Sequence, residues 1–212
     1  MAIITEIKKT TKNKSQMYEI FVDGESLGLY HIETIIKHSI KVGMEVDVAV
    51  LDNALKESTT LVAMEKVLNY ISKSMKTQKD IEKYLKGKGY GDDIIESVIA
   101  KLREYNYIND EIYAKYFIAS KSKKEGNKKI KFDLKNKGLD EKVIAEMLSE
   151  NAEDLDVIKN LADKYLKNKV KDFKTKTKLF AFLASKGFEY ENINSVLRQY
   201  DFSGNNEDAF ND

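Results

Sequence analysis

The chain has 212 residues, 42% hydrophobic and 33% charged, with a formal net charge of +1. That is enough apolar material for one domain or two small ones, with many solvated helix faces. No apolar run approaches the roughly 18 residues needed to span a bilayer, and the absence of cysteine excludes disulfide frameworks and thiolate chemistry.

The N-terminal stretch MAIITEIKKT lacks the basic-then-apolar order of a signal peptide, so a cytoplasmic protein is expected. Ile3–Ile7 and Met17–Val22 are β-branched and aromatic runs. Asp23-Gly24 is a hairpin signal, and Glu25–Leu29 would be the returning strand. A three-stranded meander is therefore expected, with Lys8–Ser15 as its polar turn. His31–Ser39 follows with helical spacing, and Gly43 is expected to cap it.

Helical patterning runs from Val46 onward. Lys-Gly recurs at Gly89, Gly138 and Gly187, 49 residues apart each time. The same step superposes Ile81, Ile130 and Leu179, then Leu85, Leu134 and Leu183, then Ile95, Ile144 and Ile193. It aligns Val98, Met147 and Val196, followed by Ile99, Leu148 and Leu197. Upstream it aligns Val67 with Tyr116 and Tyr165, and Leu68 with Phe117 and Leu166. Apolar columns on both sides of a shared stop are the signature of a structural repeat.

Each repeat reads as three helices, at 58–73, 78–87 and 93–105, then 110–124, 127–136 and 141–149, then 154–168, 176–185 and 190–200. Thr77 with Asp80 resembles a capping box, and its repeat partners Gly126 and Thr175 are expected N-caps. Asp93 with Glu96 reads as a second box. Gly89, Gly138 and Gly187 are expected C-terminal caps, each beside a lysine at the negative helix end. Gly87–Gly91 is accordingly not a phosphate loop: no strand precedes it and no Gly-Lys-Ser/Thr follows.

The expected fold is mainly α, with three tandem three-helix repeats in an elongated curved array preceded by a small N-terminal β-hairpin or meander module. The expected domains are 1–50 for that module, 51–108 for repeat 1 with its leading helix, 109–152 for repeat 2, 153–202 for repeat 3, and 203–212 for a disordered acidic tail. One short three-helix unit buries little by itself, so neighbours are expected to share apolar faces.

The near-neutral total hides segregation. Lys121–Lys137 holds eight lysines and Lys164–Lys178 seven, while Asp140–Asp156 carries seven acids. This pattern points to a basic face for partner contact, weighed against ordinary solvated helices. His31 and His38 are the only histidines; with no cysteine nearby they read as surface residues, not a zinc or general-base site. Tyr113 and Tyr116 read as core. No paired-acid site, nucleophile motif or nucleotide fingerprint is present, so no enzyme, cofactor or metal is expected.

The residues resemble one family. Tyr70–Tyr90, Leu102–Phe117 (LREYNYINDEIYAKYF) and Gly126–Leu139 (GNKKIKFDLKNKGL) are similar to the RecX family of recombination regulators. That family shows a helix ending in Tyr-Leu, a basic turn, a helix closing on Lys-Gly-Tyr/Phe, and an acidic motif matched here by Tyr107–Ala114. The strand module resembles the extension of Gram-positive members. Asn109-Asp110 stands where the family has paired aspartates. Lys73–Thr77 carries lysines where arginines are typical, keeping charge but losing the bidentate fork.

The resemblance implies a non-enzymatic, monomeric modulator of the RecA recombinase. It would lie in the groove of the RecA–DNA filament and inhibit strand exchange and ATP hydrolysis, hence affect DNA repair and the SOS response. The alternative is a helical-repeat protein binding single- or double-stranded DNA without RecA. Lys73, Lys76, Lys83, Lys121, Lys123, Lys124, Lys128, Lys129 and Lys131 are the expected contacts, because they cluster about the turn between the first and second helices of repeats 1 and 2.

Overall fold

Alternating β-branched and aromatic residues build β1 (Ala2–Lys9), β2 (Met17–Val22) and β3 (Glu25–His31). In this computed structural model, which describes residues 2–10 and 16–203, Asp23 and Gly24 take φ of 49° and 87°. Two successive positive φ values make the turn whose twist suits a tight hairpin. A fourth strand, β4 (Glu45–Val46), pairs with Ala2 and Ile3, so the antiparallel order is β3-β2-β1-β4. Two residues are too short a run for alternation to show.

The helix after β3 is shorter than expected. α1 spans Ile32–Lys37, His38 is its C-cap, and Ser39 takes a φ of 50°. Gly43 is thus not a helix cap. Its φ of 81° serves a turn in which the Met44 amide donates to the Lys41 carbonyl at 3.2 Å. The Gly43 amide donates to Ile4 at 2.8 Å, which steers the chain into β4.

α2 (Val48–Ile71) is continuous through two cores. Asp47 caps it, accepting the Ala49 amide at 3.0 Å. Its first half lays Leu51 and Ala54 against Ile4, Ile20, Tyr30 and Val46 of the sheet. Its second half places Ala63 and Val67 among Ile81, Leu85, Ile95 and Leu102. Between them, buried Ser58 accepts the His31 amide, satisfying a donor that the strand end leaves free. α3 (Gln78–Lys86) and α4 (Asp92–Glu104) complete repeat 1. The chain divides into two units, Met1–Ile108 and Asn109–Asp212. The sheet and repeat 1 share the first.

The second unit holds α5 (Asp110–Lys121), α6 (Asn127–Asn136) and α7 (Glu141–Ser149), then α8 (Leu155–Leu166), α9 (Phe173–Ser185) and α10 (Tyr190–Leu197). Repeat 2 buries Ala114, Ile118, Ile130, Leu134 and Ile144; repeat 3 buries Ala162, Leu166, Leu179, Leu183 and Ile193. The second-helix columns and the Ile95, Ile144 and Ile193 column are therefore core in all three repeats, while Met147 and Leu148 are only half-buried in repeat 2. The first-helix column is not at a constant step. Val67, Ile118 and Leu166 are the buried equivalents, because the connection to the second helix differs in length between repeats. A fixed step puts Tyr116 in that column, whereas its side chain is 66% exposed on α5. Tyr113 is half-buried against Phe117, with ring centroids 5.8 Å apart.

Cap chemistry is mostly local. Thr77 is buried and forms a reciprocal capping box with Asp80. Asn109 accepts the Ile112 amide at 2.9 Å. Gly89, Gly138 and Gly187 take φ of 83°, 86° and 84° and close their helices. Thr175 is not an N-cap: α9 begins at Phe173, and Asp172 accepts the Thr175 amide at 2.6 Å. A carboxylate at the positive helix end outcompetes a hydroxyl, so the helix starts earlier. Nor does Asp93 open a capping box. Gly91 is the N-cap of α4, and the Asp93 carboxylate reaches Lys56 at 3.4 Å. The proposed first polar turn and the acidic tail lie largely outside the described residues.

Candidate partner-binding surface

The nine lysines expected at the partner surface separate into two groups. Lys121 and Lys129 both reach Glu125, at 3.3 and 3.1 Å, across the turn from α5 to α6. The Glu125 side chain is only 12% exposed. Burial works against its charge, but hydrogen bonds from Lys129 and Lys121 win and hold its carboxyl below the usual range. Lys128 pairs with Glu189 at 2.8 Å, which raises its pKa, and lies 4.0 Å from the Tyr190 ring centroid. Lys131 and Lys135 share Glu141, at 3.8 and 3.1 Å, and Lys135 chiefly lowers that carboxyl. Among the described residues, Lys73, Lys83, Lys123 and Lys124 are exposed without an ion pair, and Lys76 donates to the Ser74 hydroxyl at 2.6 Å.

Of the paired lysines in repeat 2, Lys128 serves its junction with repeat 3. The Gly126 amide donates to the Lys186 carbonyl at 2.9 Å, and the Lys128 amide to the Gly187 carbonyl at 3.0 Å. A Cβ on Gly126 would meet the Gly187 oxygen at 2.3 Å, so glycine is required for the approach itself. Glu153 completes the junction. Its carboxylate accepts the Asn127 amide at 2.8 Å, the Glu189 amide at 2.9 Å and the Asn192 side-chain amide at 2.9 Å. One carboxylate thereby satisfies donors at the starts of two helices. Nothing in the spacing of Glu153 marks it for this.

Aromatic rings hold a further set of lysines, of which the clustering singled out Lys76 alone. Tyr70 stacks on Tyr84 with centroids 4.3 Å apart and planes 4° from parallel. Lys76 lies 4.8 Å from the Tyr70 centroid and Lys88 lies 5.7 Å from that of Tyr84. In repeat 3, Tyr165 stacks on Phe182 at 5.1 Å, with Lys169 3.3 Å from the first ring and Lys186 5.7 Å from the second. The visible signal is an aromatic residue four positions before the lysine of Lys-Gly in repeats 1 and 3; repeat 2 has Asp133 there.

His31 is not a surface residue, and His38 is half-buried. His31 is 5% exposed and caps α1, its Nδ1 accepting the Glu33 amide at 3.3 Å while Nε2 faces Glu65 at 3.6 Å. His38 Nε2 lies 2.8 Å from Glu57, which also binds Lys37 at 2.5 Å. Both ends of α1 are thus tied to α2. Beside His31 lies a cleft of about 570 Å³ lined by Gln16, Ile32, Glu33, Ile36, Glu65 and Asn69. Among the described residues, no histidine–carboxylate group is arranged to hold a metal ion, and no helix is long and apolar enough to cross a membrane.

Comparison with known proteins accounts for the three repeats. Family models described as the first, second and third three-helix domains of RecX match residues 63–102, 109–148 and 152–197. The chain is 32% identical to the regulatory protein RecX of Clostridium tetani over 94% of its own length and 95% of that protein. It is 33% identical to that of Clostridium acetobutylicum, covering 96% and 98%. A crystal structure of regulatory protein RecX superposes with a TM-score of 0.72 at 25% identity, covering 92% of this chain and 98% of the other. RecX from Lactobacillus salivarius gives 0.60 at 26%, covering 66% and 95%. With three consecutive domain matches and full-length relatives, this chain belongs to the RecX family.

Proposed function

We propose that this protein is a non-enzymatic, monomeric, cytoplasmic regulator of the RecA recombinase. It binds in the groove of the RecA–DNA filament and inhibits strand exchange and ATP hydrolysis, and so bears on DNA repair and the SOS response. Family membership along nearly the whole chain is the observation that carries this reading. Among the described residues, the repeats also present exposed lysines without an ion pair, Lys73, Lys123 and Lys124 at helix-to-helix turns and Lys83 on α3. A polyanionic filament is a fitting partner for such turns.

The test is the rate of ATP hydrolysis by RecA on single-stranded DNA, with and without the protein. Inhibition should be lost when Lys73, Lys83, Lys123 and Lys124 are changed together to Glu. Lys121, Lys128 and Lys129 are poor choices for charge reversal, since each already holds an internal carboxylate. Unchanged ATP hydrolysis with the native chain at low salt would reject RecA as the partner. Full inhibition by the reversed variant would reject the lysine assignment.

A further inference from the structure

Ten lysines lie over aromatic rings among the described residues; Lys8 does so in the sheet, and the other nine lie in the repeats. In repeat 2, the ring-bound lysines Lys121 and Lys128 are also ion-paired, to Glu125 and Glu189. Repeat 2 also stacks two rings, Tyr113 on Phe117, but with Lys121 alone over them. In repeats 1 and 3 one stacked pair is flanked by two lysines that make no ion pair: Lys76 and Lys88 about Tyr70–Tyr84, and Lys169 and Lys186 about Tyr165–Phe182. Lys66, Lys171 and Lys176 each lie over a ring outside these pairs. Core packing alone requires the rings but not a lysine on each side.

The two arrangements differ chemically. A lysine paired with a carboxylate is already neutralised and must give up that partner to meet another anion. An ammonium over a ring face is held by about 0.5–1 kcal/mol at an exposed site, yet keeps its full charge. The stacked rings also restrict a side chain whose free rotamer entropy is worth about 2 kcal/mol. What results is a positioned, unneutralised ammonium, the property that favours contact with a phosphate and release of its condensed counterion.

We propose that Lys76 with Lys88, and Lys169 with Lys186, are two equivalent stations that hold the phosphate backbone of a nucleic acid, one in each unit of the chain. Among the described residues, repeat 2 carries no such station: Asp133 stands in place of the second ring, and its ring-bound lysines, Lys121 and Lys128, are committed to Glu125 and Glu189. The stations grip the backbone and leave base edges unread, since ammonium groups over rings carry no sequence code. This goes beyond the RecA reading, and its test uses nucleic acid without RecA, so that either reading can fail alone.

The experiment is fluorescence-anisotropy titration of a labelled oligothymidine with the full chain across a range of salt concentrations. The native protein should show log affinity falling linearly with log salt. Changing Lys76, Lys88, Lys169 and Lys186 together to Gln should make that slope shallower by about 2 to 3, since each phosphate contact on a single strand contributes about 0.7. Changing Lys121, Lys128, Lys131 and Lys135 to Gln should alter it by less than about 1. Tyr84→Leu with Phe182→Leu keeps every charge, so it should weaken binding while leaving the slope nearly intact.

Thermal melts by circular dichroism establish that each variant is folded. Three outcomes overturn the proposal: an unchanged slope in the first variant, an equal loss in the second, or no binding of the oligonucleotide by the native protein at the lowest salt. Equal displacement of the oligonucleotide by polyglutamate would also overturn it, identifying an acidic protein surface as the partner instead.

Discussion

At Gly126 one methyl group decides whether α6 can dock on repeat 3. A Cβ there would stand 2.3 Å from both the Gly187 oxygen and the Phe188 nitrogen, and neither is a flexible side-chain end. Gly126→Ala should therefore cost about 3 kcal/mol in chemical denaturation, at the upper end of overpacking effects. Gly89→Ala meets open space and only the left-handed backbone at φ +83°, so it should cost about 1 kcal/mol. Equal losses would mean that conformation, not contact, sets both. Capping separates in the same way. Asp172→Ala should cost about 1 kcal/mol, while Thr175→Ala should be close to neutral in the same measurement. The Thr175 amide is the donor there, so removing its side chain leaves the cap in place.

Among elements, α2 has the widest reach, for it carries Leu51 and Ala54 into the sheet core and Ala63 and Val67 into repeat 1. α1 is fixed to it through Glu57, whose carboxyl is held below its ordinary value of 4.5 by hydrogen bonds from Lys37 and then His38. A carboxyl depressed in the folded state binds its proton more readily once unfolded. Its stabilisation is complete above about pH 4.5 and disappears as the pH falls through the lower, folded value. Thermal melts from pH 7 down to 3 should show an acid decline in stability that is smaller in Glu57→Gln. The decline should not be abolished, because Glu125, Glu141, Asp172 and Asp201 are depressed as well. At the other extreme, burial and then the Asp52 charge push the Tyr30 hydroxyl up to about 12, and burial and then Asp163 raise Tyr200.

Taken whole, the chain is a β-sheet module continued by a repeat, and two further repeats joined to each other by backbone contact. Truncation after Asn151 removes Glu153 and the Lys186–Gly187 carbonyls that satisfy the α6 amides. Buried donors without partners cost about 1–3 kcal/mol each. The truncated chain should lose helical circular dichroism beyond the share of α8, α9 and α10. A loss equal to that share would show that repeat 2 stands without repeat 3.

The amino-acid sequence by itself determined the repeats, the hairpin and most helix limits. Those features depend on local signals: apolar spacing, Asp-Gly, Lys-Gly, and hydroxyl or amide caps. It also exposed the family resemblance through motif order. Tertiary structure alone decided what touches what. β4 exists because Ile4 and Ala2 offer an edge, and not because Glu45-Val46 has a period of its own. Tyr116 faces outward because unequal connections shift the first-helix register. The same holds for charge. Lys121, Lys123 and Lys124 look alike in a basic run, yet Glu125 pairs with the first, and the other two have no ion pair among the described residues. Pairing is a matter of distance and burial between side chains, and a linear run of lysines records neither.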